Sequence, residues 1–217
     1  MATRPKQAEP RPQPRLYLIT PPVAEPDAVS SQLAAALAAG DVAAVLLRLA
    51  DGDERSLINR IKALCPIAQD CGAALLLDGH VDLVARGGAD GAHLTGIDAF
   101  KDALEQLKPD RIAGVGGLAS RHDAMVAAEA GADYVMFGEP DASGARPSFE
   151  AIEERIDWWA EVFESPCVGY AAAPDEVSAL VKAGADFVAL GDWIWQHDAA
   201  KAIAEAASHL RLPETAA

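Results

Sequence analysis

The chain has 217 residues, 51% of them hydrophobic and 24% charged, with a formal net charge of −15. That balance describes one ordinary globular domain and excludes a nucleic-acid partner, which needs a basic stripe; it also argues against an anionic membrane surface. No segment approaches the roughly 18 consecutive apolar residues of a membrane span, and three cysteines without metal spacing, Cys65, Cys71 and Cys167, read as buried, reduced thiols of a cytoplasmic protein.

Residues 1–14 contain four prolines and no apolar stretch, so they read as a disordered leader and not a secretory signal. Residues 15–217 read as one domain. Its first strand, Arg15 to Thr20, stops at Pro21-Pro22, because proline cannot donate to a ladder. A helix from about Asp27 to Gly40 carries Val29, Leu33 and Leu37 on one face. Strand two is Val42 to Leu47, and the next helix spaces Leu57, Ile61, Leu64 and Ala68 on one side, with a kink expected at Pro66. Strand three (Ala73 to Leu77) precedes a short helix near Val81 to Arg86. Strand four (Gly91 to Leu94) precedes a helix near Asp98 to Leu107. Strand five is Arg111 to Val115, after which Ser120 stands where an N-cap belongs. Strand six (Tyr134 to Phe137) leads to a helix burying Phe149, Ile152, Ile156, Trp159 and Phe163. Strand seven (Cys167 to Tyr170) leads to a helix opening at Pro174. Strand eight is Phe187 to Leu190, and the last helix carries Ile203, Ala206 and Leu210 before Pro213.

Gly-Ala-Asp punctuates this series three times, at Gly88, Gly131 and Gly184, each time after a helix and before a short apolar run. Glycine ends a helix in the left-handed conformation without steric cost, and a strand lacking polar alternation is buried on both faces. Eight such alternations predict a single (β/α)8 TIM barrel. The aspartates Asp90, Asp133 and Asp186 then fall at the end opposite the reactive mouth, where they read as structural caps.

In a barrel the reactive groups sit on the loops after the strand C-termini. Those positions hold Arg48, Asp78-Gly79-His80, His93 with Thr95 and Asp98, Gly116-Gly117, Gly138-Glu139, Tyr170-Ala171-Ala172 and Gly191-Asp192-Trp193. Arg146, in the loop after strand six, adds a second cation. A ring of carboxylates and arginines suits a metal-bridged phosphate ester, with Mg²⁺ on the carboxylates and guanidinium on the oxygens. Plainer roles stay open: Arg48 as an ion-pair partner of Asp78 or Asp98, His93 as a satisfied core histidine, Asp98 as a helix cap, and Gly116-Gly117 as a tight turn.

The segments Leu16-Tyr17-Leu18-Ile19-Thr20, Leu47-Arg48, Asp90-Gly91-Ala92-His93-Leu94, Gly131 to Val135 with Phe137-Gly138, and Gly184-Ala185-Asp186 resemble the thiamine phosphate synthase and thiazole tautomerase (TenI-like) barrels. The resemblance covers roughly residues 15 to 210. It implies a transferase of thiamine biosynthesis that joins a pyrimidine diphosphate to a thiazole phosphate, releasing diphosphate with Mg²⁺. On that resemblance Arg48 is the diphosphate-binding arginine, Asp98 ligates Mg²⁺ with Asp78, and Arg48, Asp78 and Arg146 are catalytic. His80, His93, Gly116, Gly117, Ser143, Tyr170, Ala171, Ala172, Gly191, Asp192 and Trp193 contact a phosphorylated heterocycle. A homodimer is compatible with it.

Departures from the family pattern are numerous. The family's Gln-x-Arg-x-Lys reads Leu46-Leu47-Arg48-Leu49-Ala50, and its Asn-Asp after strand three reads Asp78-Gly79. The serine after strand five reads Gly116, Thr-x-Thr-Lys reads Ser143-Gly144-Ala145-Arg146, and the thiazole-phosphate-binding Gly-Gly reads Ala171-Ala172. Three readings follow: a transferase with a rearranged site, a TenI-like enzyme on a less charged ring, or a non-catalytic barrel that senses a ligand or binds a partner. Trp193 is expected to pack where the family holds phosphate.

Overall fold

The structure, a computed structural model, describes residues 12–196 and 198–210. The expected leader, apart from residues 12–14, and Pro213 lie outside the described residues. Eight strands close into one parallel barrel in chain order: β1 (Arg15–Ile19), β2 (Val42–Leu47), β3 (Ala74–Asp78), β4 (Gly91–Thr95), β5 (Ile112–Gly116), β6 (Tyr134–Phe137), β7 (Cys167–Ala171) and β8 (Phe187–Leu190). The helices between and after them are α1 (Pro26–Ala39), α2 (Glu54–Gln69), α3 (Val81–Gly87), α4 (Ile97–Leu107), α5 (Arg121–Glu129), α6 (Phe149–Val162), α7 (Pro174–Ala183) and α8 (Ala199–Ser208). The single (β/α)8 barrel is therefore as the alternation predicts. α2 runs through Pro66 as one helix.

Strand residues alternate between two buried layers. Leu16, Leu18, Val45 and Leu47 belong to the large apolar layer that meets the helices, whereas Tyr17, Ile19, Leu46, Leu76, Tyr134, Met136 and Tyr170 fill the interior. Period-2 geometry makes this division, since successive strand side chains point to opposite faces.

The three Gly-Ala-Asp elements do a common job. Gly88, Gly131 and Gly184 have φ of 83°, 98° and 101°, which only glycine adopts without strain. Each aspartate then reaches back to the strand immediately before the one it leads into. Asp90 Oδ2 accepts from Leu75 N at 2.7 Å, Asp133 Oδ2 from Ala113 N at 2.7 Å and Asp186 Oδ2 from Cys167 N at 2.8 Å. The same three residues return the bond through their own backbone, Asp90 N donating to Leu75 O, Asp133 N to Ala113 O and Asp186 N to Cys167 O. A paired main-chain and carboxylate contact satisfies strand N–H groups that would otherwise begin unpaired. These caps close the end opposite the mouth.

Cysteine burial corrects one expectation. Cys65 and Cys167 are buried, but Cys71 is exposed. It lies in the turn after α2, where the chain leaves the helix before entering β3, and no packed layer covers it.

Candidate active site

A cavity of about 750 Å³ opens at the C-terminal end of the strands, lined by Leu46, Arg48, Asp78, His93, Gly117 and Glu139 among others. Leu46 and Arg48, two residues apart, share the interior phase of the alternation, and Asp78 lies on it with the interior residue Leu76. Arg48 follows β2 and its backbone N–H donates to the buried Thr20 hydroxyl at 3.0 Å, which fixes where the guanidinium starts. Its Nε lies 3.5 Å from Asp78 Oδ2 and its Nη1 3.6 Å from Asp192 Oδ1. Those separations exceed a charge-assisted hydrogen bond, and Asp192 is 61% exposed, so the cation is neighboured and not clamped.

Beside it lies a chain of polar groups that residue patterning did not announce. His93 is buried, and its two ring nitrogens meet Tyr134 Oη at 3.0 Å (Nδ1) and Glu139 Oε2 at 3.1 Å (Nε2). Tyr134 Oη also lies 2.8 Å from Tyr17 Oη. Burial pushes both phenols well above the ordinary tyrosine range, so both keep their protons and act as neutral groups. With Glu139 ionised, one orientation satisfies the whole chain: Tyr17 donates to Tyr134, Tyr134 to Nδ1, and Nε2 to Glu139.

Two inward-facing glycines of β5 make this arrangement fit. A Cβ on Gly114 would lie 2.0 Å from Tyr134 Cζ, and one on Gly116 would lie 1.9 Å from Glu139 Oε1. The volume beside Gly116 is thus taken by the Glu139 carboxylate from the loop after the neighbouring strand β6. Glu139 Oε1 is buried and has no hydrogen-bond partner among the described residues. His93 and Glu139 can hold and pass a proton at the cavity wall. The sequence places Glu139 at the mouth but gives it no role; the paired glycines of β5 opposite His93 are the signal for one, since His93 pairs with Gly114 and Thr95 with Gly116.

The other expected site residues are spread more widely. Gly117 lines the cavity at φ +59°, and a Cβ there would strike Thr95 Cγ2 at 2.6 Å, so it is a tight turn as well as a wall. His80 is exposed, caps α3 at φ 45° and does not line the cavity. Ser143 is also exposed: its hydroxyl donates to Asp141 Oδ1 at 2.6 Å. That bond, with those from Ser143 N and Ala145 N, shapes the loop after β6 and holds the Asp141 carboxyl below its usual range.

Arg146 is partly buried over the Tyr170 ring, 5.6 Å from its centroid, and Nη1 and Nη2 each lie 3.1 Å from Glu176 Oε2. The same oxygen accepts from Ala172 N at 2.7 Å. Tyr170 is buried against Gly191, whose added Cβ would lie 2.6 Å from Tyr170 Oη; burial first, and the Asp192 charge second, raise the Tyr170 phenol.

After β8 the chain turns into a 3-10 helix, Asp192–Trp195. The turn sends the two indoles to opposite neighbours, Trp193 Nε1 to Ala171 O at 3.3 Å on β7 and Trp195 Nε1 to Ile19 O at 2.6 Å on β1. Trp193 packs on the apolar layer beside Ala171, while the polar contact to Ala172 N comes from Glu176.

The donor set does not form the two-aspartate Mg²⁺ site that the resemblance implies. Mg²⁺ takes octahedral oxygen ligands, normally one or two carboxylates plus substrate phosphate. Asp78 lines the cavity beside Arg48, but Asp98 is exposed in the first turn of α4 and lines no part of it. Among the described residues no three His, Cys, Asp or Glu side chains are grouped to hold a metal.

Fold and site together define a (β/α)8 barrel whose mouth presents one strand-end arginine between carboxylates, with a buried His–Glu pair on its wall. The chain belongs to the thiamine monophosphate synthase family, which matches residues 16–194. It is 44% identical over 195 residues to a thiamine-phosphate synthase of Rhodospirillum centenum, covering 88% of this chain and 94% of that relative. It is 38% identical over 199 residues to one of Hyphomonas neptunium, covering 88% and 90%. A thiamine phosphate pyrophosphorylase structure from Pyrococcus furiosus superposes with a TM-score of 0.72 at 21% identity, over 91% of this chain and 96% of that one, a likeness of fold. No described helix is long and apolar enough to cross a membrane.

Proposed function

We propose that this chain catalyses a thiamine-phosphate synthase type of transfer, joining a pyrimidine diphosphate to a thiazole ring with release of diphosphate. The observation that carries the reading is Arg48, a strand-end guanidinium on the wall of a 750 Å³ cavity, anchored through its backbone and free of a tight ion pair. Guanidinium binds phosphate oxygens bidentately and stabilises charge that grows on a leaving diphosphate. The reading also rests on relatives that carry this name at up to 44% identity over nearly their full length. Leu46 and Pro140 give the cavity wall apolar surface for a flat ring. His93 and Glu139 form a hydrogen-bonded pair within this wall that can receive a proton. Mg²⁺ dependence and homodimerisation are open to the same preparations. A cytoplasmic setting accords with three free thiols.

Diphosphate release tests the reading. Mixing the protein with the pyrimidine diphosphate and either thiazole phosphate or the corresponding thiazole alcohol should release diphosphate in step with ring coupling. Arg48→Ala should lower kcat/KM by roughly 100-fold or more, as loss of a charge-stabilising donor does. No release with either ring partner would refute the assignment.

A further inference from the structure

Glu139 is a carboxylate with no cation of its own among the described residues. Its side chain is 13% exposed, Oε2 lies 3.1 Å from His93 Nε2, and Oε1 is buried without a hydrogen-bond partner. Arg146 and Arg155 line a neighbouring cavity with it, but Arg146 is held on Glu176 and Arg155 donates to Leu118 O at 3.2 Å. A carboxylate shut away from water without a counter-charge destabilises a fold. The chain nevertheless makes room for this one at Gly116, where a Cβ would lie 1.9 Å from Oε1, and holds it through His93 with Tyr134 behind. Strands β2 and β6 stand four apart in the closed ring of eight, so Arg48 and Glu139 reach the same cavity from opposite sides. One wall carries a cation and the other an anion.

We propose that Glu139 is the counter-charge for a cationic ring in this cavity, stabilising the positive charge that transfer leaves on the joined rings, with His93 and Tyr134 as its positioning residues. The proposal rests on the transferase reading for the reaction, but not for the preference of the site for a cation. The balance of the transfer requires such a charge. The carbon–oxygen bond to diphosphate breaks and its electron pair leaves with diphosphate. The lone pair of the thiazole ring nitrogen forms the new carbon–nitrogen bond, no proton moves, and that nitrogen becomes positive. Arg48 serves the charge that departs and Glu139 the charge that stays. Unit charges about 6 Å apart at an effective dielectric near 20 change a barrier by about a hundredfold in rate. Tyr134 donates to Nδ1 of His93, which leaves the Nε2 proton for Glu139 and fixes where the carboxylate stands.

Two readouts test it, one of turnover and one of binding alone. For binding, N-benzylthiazolium, a cation, and benzylthiazole, its neutral counterpart, are titrated by calorimetry with inorganic diphosphate present. Wild type should prefer the cation. Glu139→Gln keeps an acceptor for His93 Nε2 but removes the charge, and should lower the cation-to-neutral affinity ratio at least about tenfold. The same variant should lower kcat by about 10- to 100-fold while KM for the pyrimidine diphosphate changes by less than about threefold. Tyr134→Phe keeps the charge, so the cation preference should survive, with a smaller fall in kcat. Its His93 ring-nitrogen resonances should move toward a mixture of tautomers, which a merely structural tyrosine would not cause. Should Glu139→Gln not fold, Glu139→Asp, which withdraws the charge by one methylene, should show the same losses in smaller measure. No cation preference in wild type overturns the proposal, as does a preference that Glu139→Gln and Glu139→Asp leave unchanged. His93 resonances unmoved in Tyr134→Phe overturn the positioning role. If no diphosphate is released but wild type prefers the cation and Glu139→Gln does not, the transferase reading fails and Glu139 keeps its role. If release proceeds with kcat unchanged in Glu139→Gln, the transferase reading stands and Glu139 loses it.

Discussion

Replacing Gly116 by alanine should uncouple His93 from Glu139. The added Cβ would lie 1.9 Å from Glu139 Oε1 and 2.5 Å from its Cδ, against a lower bound near 3.0 Å for real contacts. Gly116 itself has no positive φ, so backbone strain adds nothing to the cost. What must yield is the far end of a flexible side chain, and Glu139 swings off His93 Nε2, now 3.1 Å away. A hydrogen bond to a charged group is worth about 1.5–3 kcal/mol. Alanine for glycine in a strand returns about 0.5–1 kcal/mol, leaving a net loss of about 1–2 kcal/mol. In a Glu139→Ala background the clash is gone and the same change should be neutral or stabilising. The cycle of wild type, both single variants and the double variant, read from urea midpoints at constant m, should therefore give a coupling near the full hydrogen-bond value. At about 2–4 °C per kcal/mol for a chain this long, the single variant should also melt visibly lower. An equal Gly116→Ala effect in both backgrounds would refute this account of how β5 makes room for Glu139.

Three further outcomes are expected. Asp186→Ala removes the acceptor of Cys167 N and should cost about 1–3 kcal/mol by denaturant unfolding, with exchange protection lost first at the start of β7. Trp195→Phe deletes the bond to Ile19 O but keeps most of the ring; it should cost about 1–2 kcal/mol while leaving ligand affinity unchanged, and a large affinity loss would mean the indole reaches the ligand. The thiols should titrate unequally: a reagent should modify Cys71 in the native protein and all three only after unfolding. Burial pushes the Cys65 thiol up to about 11, so the folded state retains a proton there that the unfolded chain releases, and stability should decline as pH climbs from 9 toward 11.

Reading the residues located the mouth but not the connections inside it. Arg48 and Asp78 follow from strand ends, because every strand C-terminus of a barrel faces the same side. Whether two such groups share a ligand depends on loop geometry, and Asp98, in the first turn of α4, is exposed and does not line the cavity that Asp78 lines. Arg146 reads as a free second cation until Glu176, thirty residues later in the chain, is folded against it. Likewise a serine replaced by Gly116 looks like a loss in the chain and is an exchange in space, since Glu139 fills the volume.

The chain by itself determined the barrel. Glycines at φ near 90° that stop helices, apolar runs buried on both faces and aspartates that cap the strand starts are local and periodic features, and local physics decides them wherever they occur. Only the tertiary structure decided which polar groups are spent on each other. His93, Tyr134, Tyr17 and Glu139 come from three strands and the loop after β6, and Glu176, Arg146 and Ala172 from two loops and a helix. Their pairing depends on distances of a few ångströms between segments far apart in sequence, and closure of the barrel is what brings those segments together.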